Sequence, residues 1–113
     1  MRAGQLKHRG RFQKLDQSSG QDDWTDWGAA SVPCFVTDLG DNAGQRQYRV
    51  ELRWFDDARL LTGTQDLGYA FLFLWTDAPG GPRELGIDRV TLPTEKYWKN
   101  PVLLDCTEVE LPG

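Results

Sequence analysis

The residues with the greatest chemical potential are one histidine, His8, and two cysteines, Cys34 and Cys106. A catalytic nucleophile needs a base beside it and a third group that orients the base. His8 lies in the N-terminal stretch, far in sequence from both thiols, so we expect it to be a packing or surface residue. The chain also has no Walker-type phosphate loop and no dinucleotide-binding fingerprint. The sequence therefore predicts no enzymatic activity and no cofactor.

Two acidic clusters could supply oxygen ligands for calcium, but neither has the spacing of an EF-hand loop. Both fall in predicted turns, where such side chains bond to their own backbone, and we expect no metal site. The first cluster is Asp22, Asp23 and Asp26, and the second is Asp38, Asp41 and Asn42. Asp56 and Asp57 precede a short helical segment, where capping is favoured over acid catalysis.

Aromatic residues outside the strand centres are candidates for binding. Tyr97 and Trp98 lie between two lysines in a predicted loop, and the sequence favours contact and packing equally there. Trp24 and Trp27 bracket the return arm of a predicted hairpin. We expect them to close one end of a barrel, although exposed rings can also stack on sugars or bases.

The two cysteines have no Cys-x-x-Cys partner and each falls within a predicted strand. This pattern favours two buried thiols. A disulfide stays open as the alternative if the two strands are neighbours.

The charge is divided along the chain. The first 14 residues carry five basic side chains and no acid, for a charge of +5, whereas the remainder carries −9. A basic arm can meet phosphate or an acidic protein surface, or it can fold back on its own domain. The acidic remainder argues against a domain that wraps nucleic acid. The arm's basic residues are Arg2, Lys7, Arg9, Arg11 and Lys14.

The elements that must position these groups are strands. Between Tyr48 and Trp54, apolar residues alternate strictly with charged ones, which predicts a half-buried antiparallel strand within Gln45–Phe55. The segment Tyr69–Trp75 is apolar on both faces and must be covered by the domain itself or by another subunit. The remaining predicted strands are Leu6–Leu15, a return arm from Trp24 to Leu39, Glu84–Leu92 and Val102–Leu111.

The connections complete this prediction. Pro33 cannot donate to a strand ladder, so we expect an edge or a bulge there. Gly40–Gly44 is predicted to be a flexible loop, and 56–61 a single helical turn that Gly63 ends. Residues 77–82 are predicted to form a turn, and Pro93–Pro101 is predicted to be an exposed loop. No apolar stretch suits a signal peptide or a bilayer span, so we expect a soluble, unsecreted chain.

Together these segments predict an all-β chain: one small antiparallel β-barrel of about six strands with long loops, spanning residues 1–113. The chain is long enough to bury a core without disulfides or metal.

The opening Met1–Arg9, the strand that ends at Lys14 and the polar hairpin leading to Trp24 resemble the start of phage head-tail joining proteins. These are head-closure, or stopper, components of long-tailed phages. Tyr48–Trp54 is similar to the middle strand of that family, and Leu103–Glu108 to its closing strand. Gly10 departs from the family pattern, which usually has a branched residue there.

The resemblance implies a homo-oligomeric ring in the virion neck, assembled in the host cytoplasm and in contact with portal or adaptor and tail proteins. It implies no membrane, no cofactor and no enzymatic activity. In such a ring the candidate lumen loop is Gly40, Asp41, Asn42, Ala43 and Gly44, which would help to retain packaged DNA. The basic arm from Arg2 to Lys14 would dock on an acidic face of a neighbouring ring.

Two alternatives stay open at this point. One is a neighbouring adaptor or tail-completion protein. The other is a monomeric ligand-binding β module that uses Tyr97 and Trp98.

Overall fold

The computed structural model describes residues 6–18, 20, 23–53, 55, 57–64, 67–93 and 101–109. Six strands and two short helices occur within these residues. In chain order they are β1 (His8–Asp16), β2 (Asp23–Asn42), β3 (Gln45–Leu52), α1 (Ala58–Thr62), α2 (Leu67–Ala70), β4 (Phe71–Trp75), β5 (Arg83–Thr91) and β6 (Val102–Glu108).

The strands form one closed antiparallel barrel in the order β1-β2-β3-β6-β5-β4, with β4 pairing back to β1. The predicted class, a small all-β barrel of about six strands, is confirmed. The predicted alternation is also confirmed from Tyr48 to Leu52, because Tyr48, Val50 and Leu52 are buried while Arg49 is exposed. Trp54 lies outside the described residues. Period-two alternation therefore placed one face of this strand in the core.

Strand β4 is shorter than predicted. It begins at Phe71, because Tyr69 and Ala70 belong to α2. Leu72 and Phe73 are both buried, although adjacent residues of a strand point to opposite faces. Both faces of β4 are therefore covered within a single copy of the chain, and no second subunit is needed there.

The presence of glycine rather than a branched residue at position 10 has a packing reason. A Cβ atom placed on Gly10 would lie 2.4 Å from Cζ of Phe73 and 2.8 Å from the carbonyl oxygen of Leu74. The ring of Phe73, which is fully buried, occupies the space that a branched side chain would need. Gly10 thus weakens strand propensity but allows a large ring to fill the barrel.

The predicted loop Gly40–Gly44 is a tight hairpin instead. Strand β2 continues through Asn42, β3 starts at Gln45, and only Ala43 and Gly44 form the turn. Both turn residues have positive φ, 54° at Ala43 and 85° at Gly44, as type I′ hairpin turns require. The ladder thus extends over residues whose composition suggested a flexible connection.

The remaining predicted elements are present with shifted ends, and β3 ends at Leu52 where the prediction ran to Phe55. The predicted helical turn is α1, which starts after Asp57 and ends before Gly63, although the Asp57 side chain makes no capping bond. Ala58 and Leu61 are fully buried and pack into the barrel core from one end. Pro33 lies beside a bulge, since four residues of β2, Gly28–Ser31, separate the partners of Phe12 and Gly10. No described helix is long and apolar enough to cross a membrane.

Candidate interaction surfaces

The two ends of the barrel differ in chemistry, and we call them the polar end and the apolar end. At the polar end, strands β1, β3 and β5 begin and β2, β4 and β6 finish. At the apolar end, β1, β3 and β5 finish and α1 covers the opening.

His8 is an ordered part of the polar end. The backbone N–H of Val36 donates to Nδ1 of His8 at 2.9 Å, so the neutral ring carries its proton on Nε2. The ring stacks on Phe35 with 5.5 Å between the ring centres, and it packs edge-on against Trp75 with 5.3 Å between the ring centres. The structure therefore gives His8 the packing role that the sequence favoured.

Arg83 joins three strands at the same end. Its Nη1 donates to the hydroxyl of Tyr48 at 2.9 Å and lies 3.3 Å from the Glu108 carboxylate. Burial is the largest cause raising the pKa of Tyr48, and the Glu108 charge acts in the same direction. The hydroxyl consequently remains protonated, and it accepts the hydrogen bond from the guanidinium.

Asp77 lies in the turn that follows β4 at this end. Its Oδ1 accepts a bond from the Trp75 indole at 3.0 Å and another from the backbone N–H of Arg9 at 2.9 Å. The carboxylate ties β1 to β4 where their regular pairing stops. An open cleft of about 320 Å³ lies among these groups, lined in part by His8, Tyr48 and Arg83.

The candidate lumen loop is the tip of the β2–β3 hairpin. Strand β3 pairs with β6 only from Gln47 onward, so Gly40–Arg46 extends beyond the barrel wall. Asp38 braces the base of the hairpin, because its Oδ1 accepts the Gly40 N–H at 2.7 Å and its Oδ2 lies 2.7 Å from Arg46. These bonds, the Gly40 N–H first, lower the pKa of Asp38.

The basic arm is divided by the structure. Residues 8–14 are part of β1 and form barrel wall, while Arg2 lies outside the described residues. Arg9 is exposed and its side chain has no ion pair among the residues described, whereas Nε of Arg11 lies 3.2 Å from Asp26. Lys7 is exposed, and Nζ of Lys14 lies 6.0 Å from the centre of the Phe71 ring. Within the described part of the arm, Arg9 and Lys7 are thus exposed cations for which no ion pair is seen.

Both cysteines are free and buried, which confirms the thiol interpretation over a disulfide. Strand β3 lies between β2 and β6, so the two thiols are on strands that are not neighbours. Burial raises the pKa of Cys34 to about 12 and raises the pKa of Cys106 as well. Neither thiol has the lowered pKa of a reactive cysteine.

A cavity of about 230 Å³ opens at the apolar end. It exists because β3 ends at Leu52, opposite Cys34, while β2 runs back a further 11 residues to Asp23 and, among the described residues, pairs there with β1 alone. The gap beside that part of β2 is lined by apolar side chains, with one cation and one anion among the lining residues. The apolar walls are Phe12, Trp27, Val32, Pro33 and Phe55, and the charged residues are Arg53 and Asp57.

Aromatic packing holds the floor of this cavity. The Phe12 ring contacts Trp27 at 5.7 Å and Phe55 at 5.4 Å, and Trp27 contacts Phe71 at 5.0 Å. Trp27 therefore lies at the end of the barrel as expected, while Trp24 is 37% exposed beyond it. Tyr97 and Trp98 lie outside the described residues.

Sequence reasoning missed the cavity and the Arg83 cluster. The small residues after Trp27 and the proline at position 33 signalled irregularity in β2, but not that the irregularity opens onto aromatic rings. The Arg83 cluster joins residues 35 and 25 positions apart in sequence, so no local pattern reveals it. Within the described residues no group of three or more acidic, histidine or cysteine side chains is placed to hold a metal ion.

No family model matches the chain, and comparisons with curated proteins and with solved structures give no match. The likeness to phage head-tail joining proteins consequently rests on the sequence motifs alone.

Proposed function

We propose that the chain is a structural component of the neck of a long-tailed phage or phage-like particle. In this role, copies form a ring that joins the portal or its adaptor to the tail and helps to retain DNA. The chain acts without catalysis and without a cofactor, and it is assembled into the virion in the host cytoplasm.

One observation carries this proposal: two hairpins extend from opposite ends of a single barrel. At the polar end, Gly40–Arg46 passes beyond the pairing with β6. At the apolar end, Leu15 and Asp16 continue the β1–β2 ladder past Lys14, the last β1 residue paired with β4. A joint between two neighbouring layers needs contact elements at both ends, and this barrel carries one at each.

The charges of the polar-end hairpin determine how it would act on DNA. Asp38 and Asp41 both lie near Arg46, at 2.7 Å and 4.0 Å, so the hairpin has one more acid than base among these three residues. Such a tip has no excess of positive charge for phosphate. We infer that it retains DNA by narrowing the passage, held rigid by its own ladder.

The docking face is formed by β1 and by Lys7, the residue that precedes it. Arg9 and Lys7 are exposed on the described surface, and an acidic face of a neighbouring neck protein is the partner that their charge favours. Arg11 contributes less to docking in this proposal, since it lies beside Asp26 in its own chain.

The test is complementation of particles that lack the gene. Without the chain we expect DNA-filled or leaking heads separate from tails, and with it we expect density between portal and tail in particle images. Arg9→Gln should reduce joining of heads to tails more than Arg11→Gln. Arg49→Gln is the matched control, because Arg49 is exposed on β3 and already lies 3.3 Å from Asp105. Normal infectious particles formed without the chain would refute the proposal.

The same experiment separates the neck component from an adaptor or tail-completion protein. Purified filled heads that already carry the adaptor should bind the chain before tails are added. Binding only to preassembled tails would favour the tail-completion role instead.

A further inference from the structure

The apolar end carries a protruding side chain as well as a cavity. Tyr69 on α2 is 80% exposed, and Leu60 on α1 is 59% exposed, both higher than the other exposed large apolar residues of the described chain. Single exposed apolar residues are common on protein surfaces, so exposure alone assigns no role. The arrangement of Tyr69 relative to the cavity gives it one.

The protrusion and the cavity lie at different positions around the same end of the barrel. The cavity opens beside β2, whereas α2 packs mainly against β5, with Gly68 beside the Ile87 carbonyl, and also contacts β4 and β1. Strands β2 and β5 are three positions apart in the closed order of six strands. A protrusion and a recess at different positions on one molecule make a head-to-tail contact, which forms a ring when the rotation between copies closes.

Size and charge also match. An apolar cavity of roughly 150 Å³ takes up benzene, so the cavity of about 230 Å³ is large enough for a phenol ring. Arg53 and Asp57 are among the residues that line the cavity, while Asp88 and Arg89 line the groove beside Tyr69. Each surface thus offers one acid and one base, so both charges of one surface can meet opposite charges on the other.

We propose that Tyr69 of one copy inserts into the cavity that β2, Phe55 and Asp57 line in the next copy. The occupant is a second copy of this chain, and the contact repeats around a ring. The proposal rests on the neck function, because the ring is what makes a repeating contact useful. It goes beyond the neck function because it assigns the contact between copies to particular side chains.

Cross-linking tests the contact directly. Gly68→Cys places a thiol beside Tyr69, and Ala29→Cys places one among the residues that line the cavity, both at exposed positions. The native thiols are buried, so a short bis-maleimide should react at the introduced cysteines. The double variant should give a ladder of multimers, in assembled particles and in concentrated purified protein, whereas either single variant should give none.

Removal of the Tyr69 phenol side chain provides the second measurement. Tyr69→Ala in the double-cysteine background should weaken association between copies roughly tenfold or more, as the loss of an interface anchor does. Leu39→Ala is the matched control, since Leu39 is 49% exposed on β2 toward the polar end. It should leave the ladder unchanged, and both variants should retain the wild-type melting temperature.

The outcomes separate this proposal from the proposed function. If the chain is located at the neck but the reactive double variant gives no ladder, the contact is refuted and the neck role stands. Dimers from a single variant would indicate a two-fold contact and overturn the proposal, as would cross-linking of Ala29→Cys to a different protein. If the chain is missing from particles, the neck role fails, and the ladder of the purified protein alone decides the contact.

Discussion

At the apolar end, the rings of Phe12, Trp27 and Phe55 and the buried face of α1 close the barrel, whereas at the polar end hydrogen bonds and ion pairs connect the strands. The first kind of closure contributes free energy through area removed from water. The second contributes less net free energy but fixes positions, because each bond replaces one with water. We infer that the apolar end provides most of the stability and the polar end holds the projecting hairpin in place.

Shortening a buried side chain of α1 should have the largest effect on stability. Leu61 is fully buried against the core, so Leu61→Ala should lower the free energy of unfolding by about 2–5 kcal/mol through lost transfer energy and a new cavity. Leu60→Ala is the control on the same helix, since Leu60 is 59% exposed, and it should change stability by about 0.5 kcal/mol or less. The measurement is unfolding in urea.

An equal loss from the two leucine variants would show that α1 does not close the barrel in solution. The stability would then have to come from the strands alone, and the contrast between the two ends would disappear.

The sequence predicted the barrel because its strands carry local signals. Alternation in β3 and the apolar run of β4 each identify a face without knowledge of neighbours. The lengths of paired segments were harder to predict. Gly40 and Gly44 suggested a flexible loop, yet their positive φ angles are the ones that allow the hairpin ladder to continue.

The cavity could not be predicted for a different reason. It depends on β3 ending at Leu52 opposite Cys34, while β2 continues, and that register is a long-range property of three strands. The need for glycine at position 10 is likewise a long-range property, because the Phe73 ring that occupies the space beside it lies 63 positions away in the chain. Local composition carries no information about either arrangement.

The buried thiols should make stability fall in alkaline solution. Their raised pKa values mean that the folded chain keeps both protons while an unfolded thiol, with a pKa near 9.0, loses its own. The contribution of each protonated thiol to the free energy of unfolding is complete below the pKa of the unfolded thiol and is lost as pH rises above it. Between pH 8 and 10 each thiol should lower the free energy of unfolding by about 1.4 kcal/mol.

Cys34→Ala is the variant that isolates this effect. Its free energy of unfolding should decrease less steeply between pH 8 and 10 than that of the wild type, whatever its stability at pH 8. Parallel curves for the two proteins would mean that Cys34 reaches water in the folded state, so that the barrel is open where its strands appear closed.

The smallest effect is expected at the polar end. Arg83→Met leaves the buried Tyr48 hydroxyl without its donor and should cost about 1 kcal/mol, because Glu108 is partly exposed and can be hydrated. A double-mutant cycle with Tyr48→Phe isolates the bond from the loss of packing. Arg83→Met should therefore cost about 1 kcal/mol less in the Tyr48→Phe background than in the wild type. If the cost is the same in both backgrounds, the bond contributes nothing, and the ordering of the polar end must come from the Asp38–Arg46 pair and the ladder of the hairpin itself.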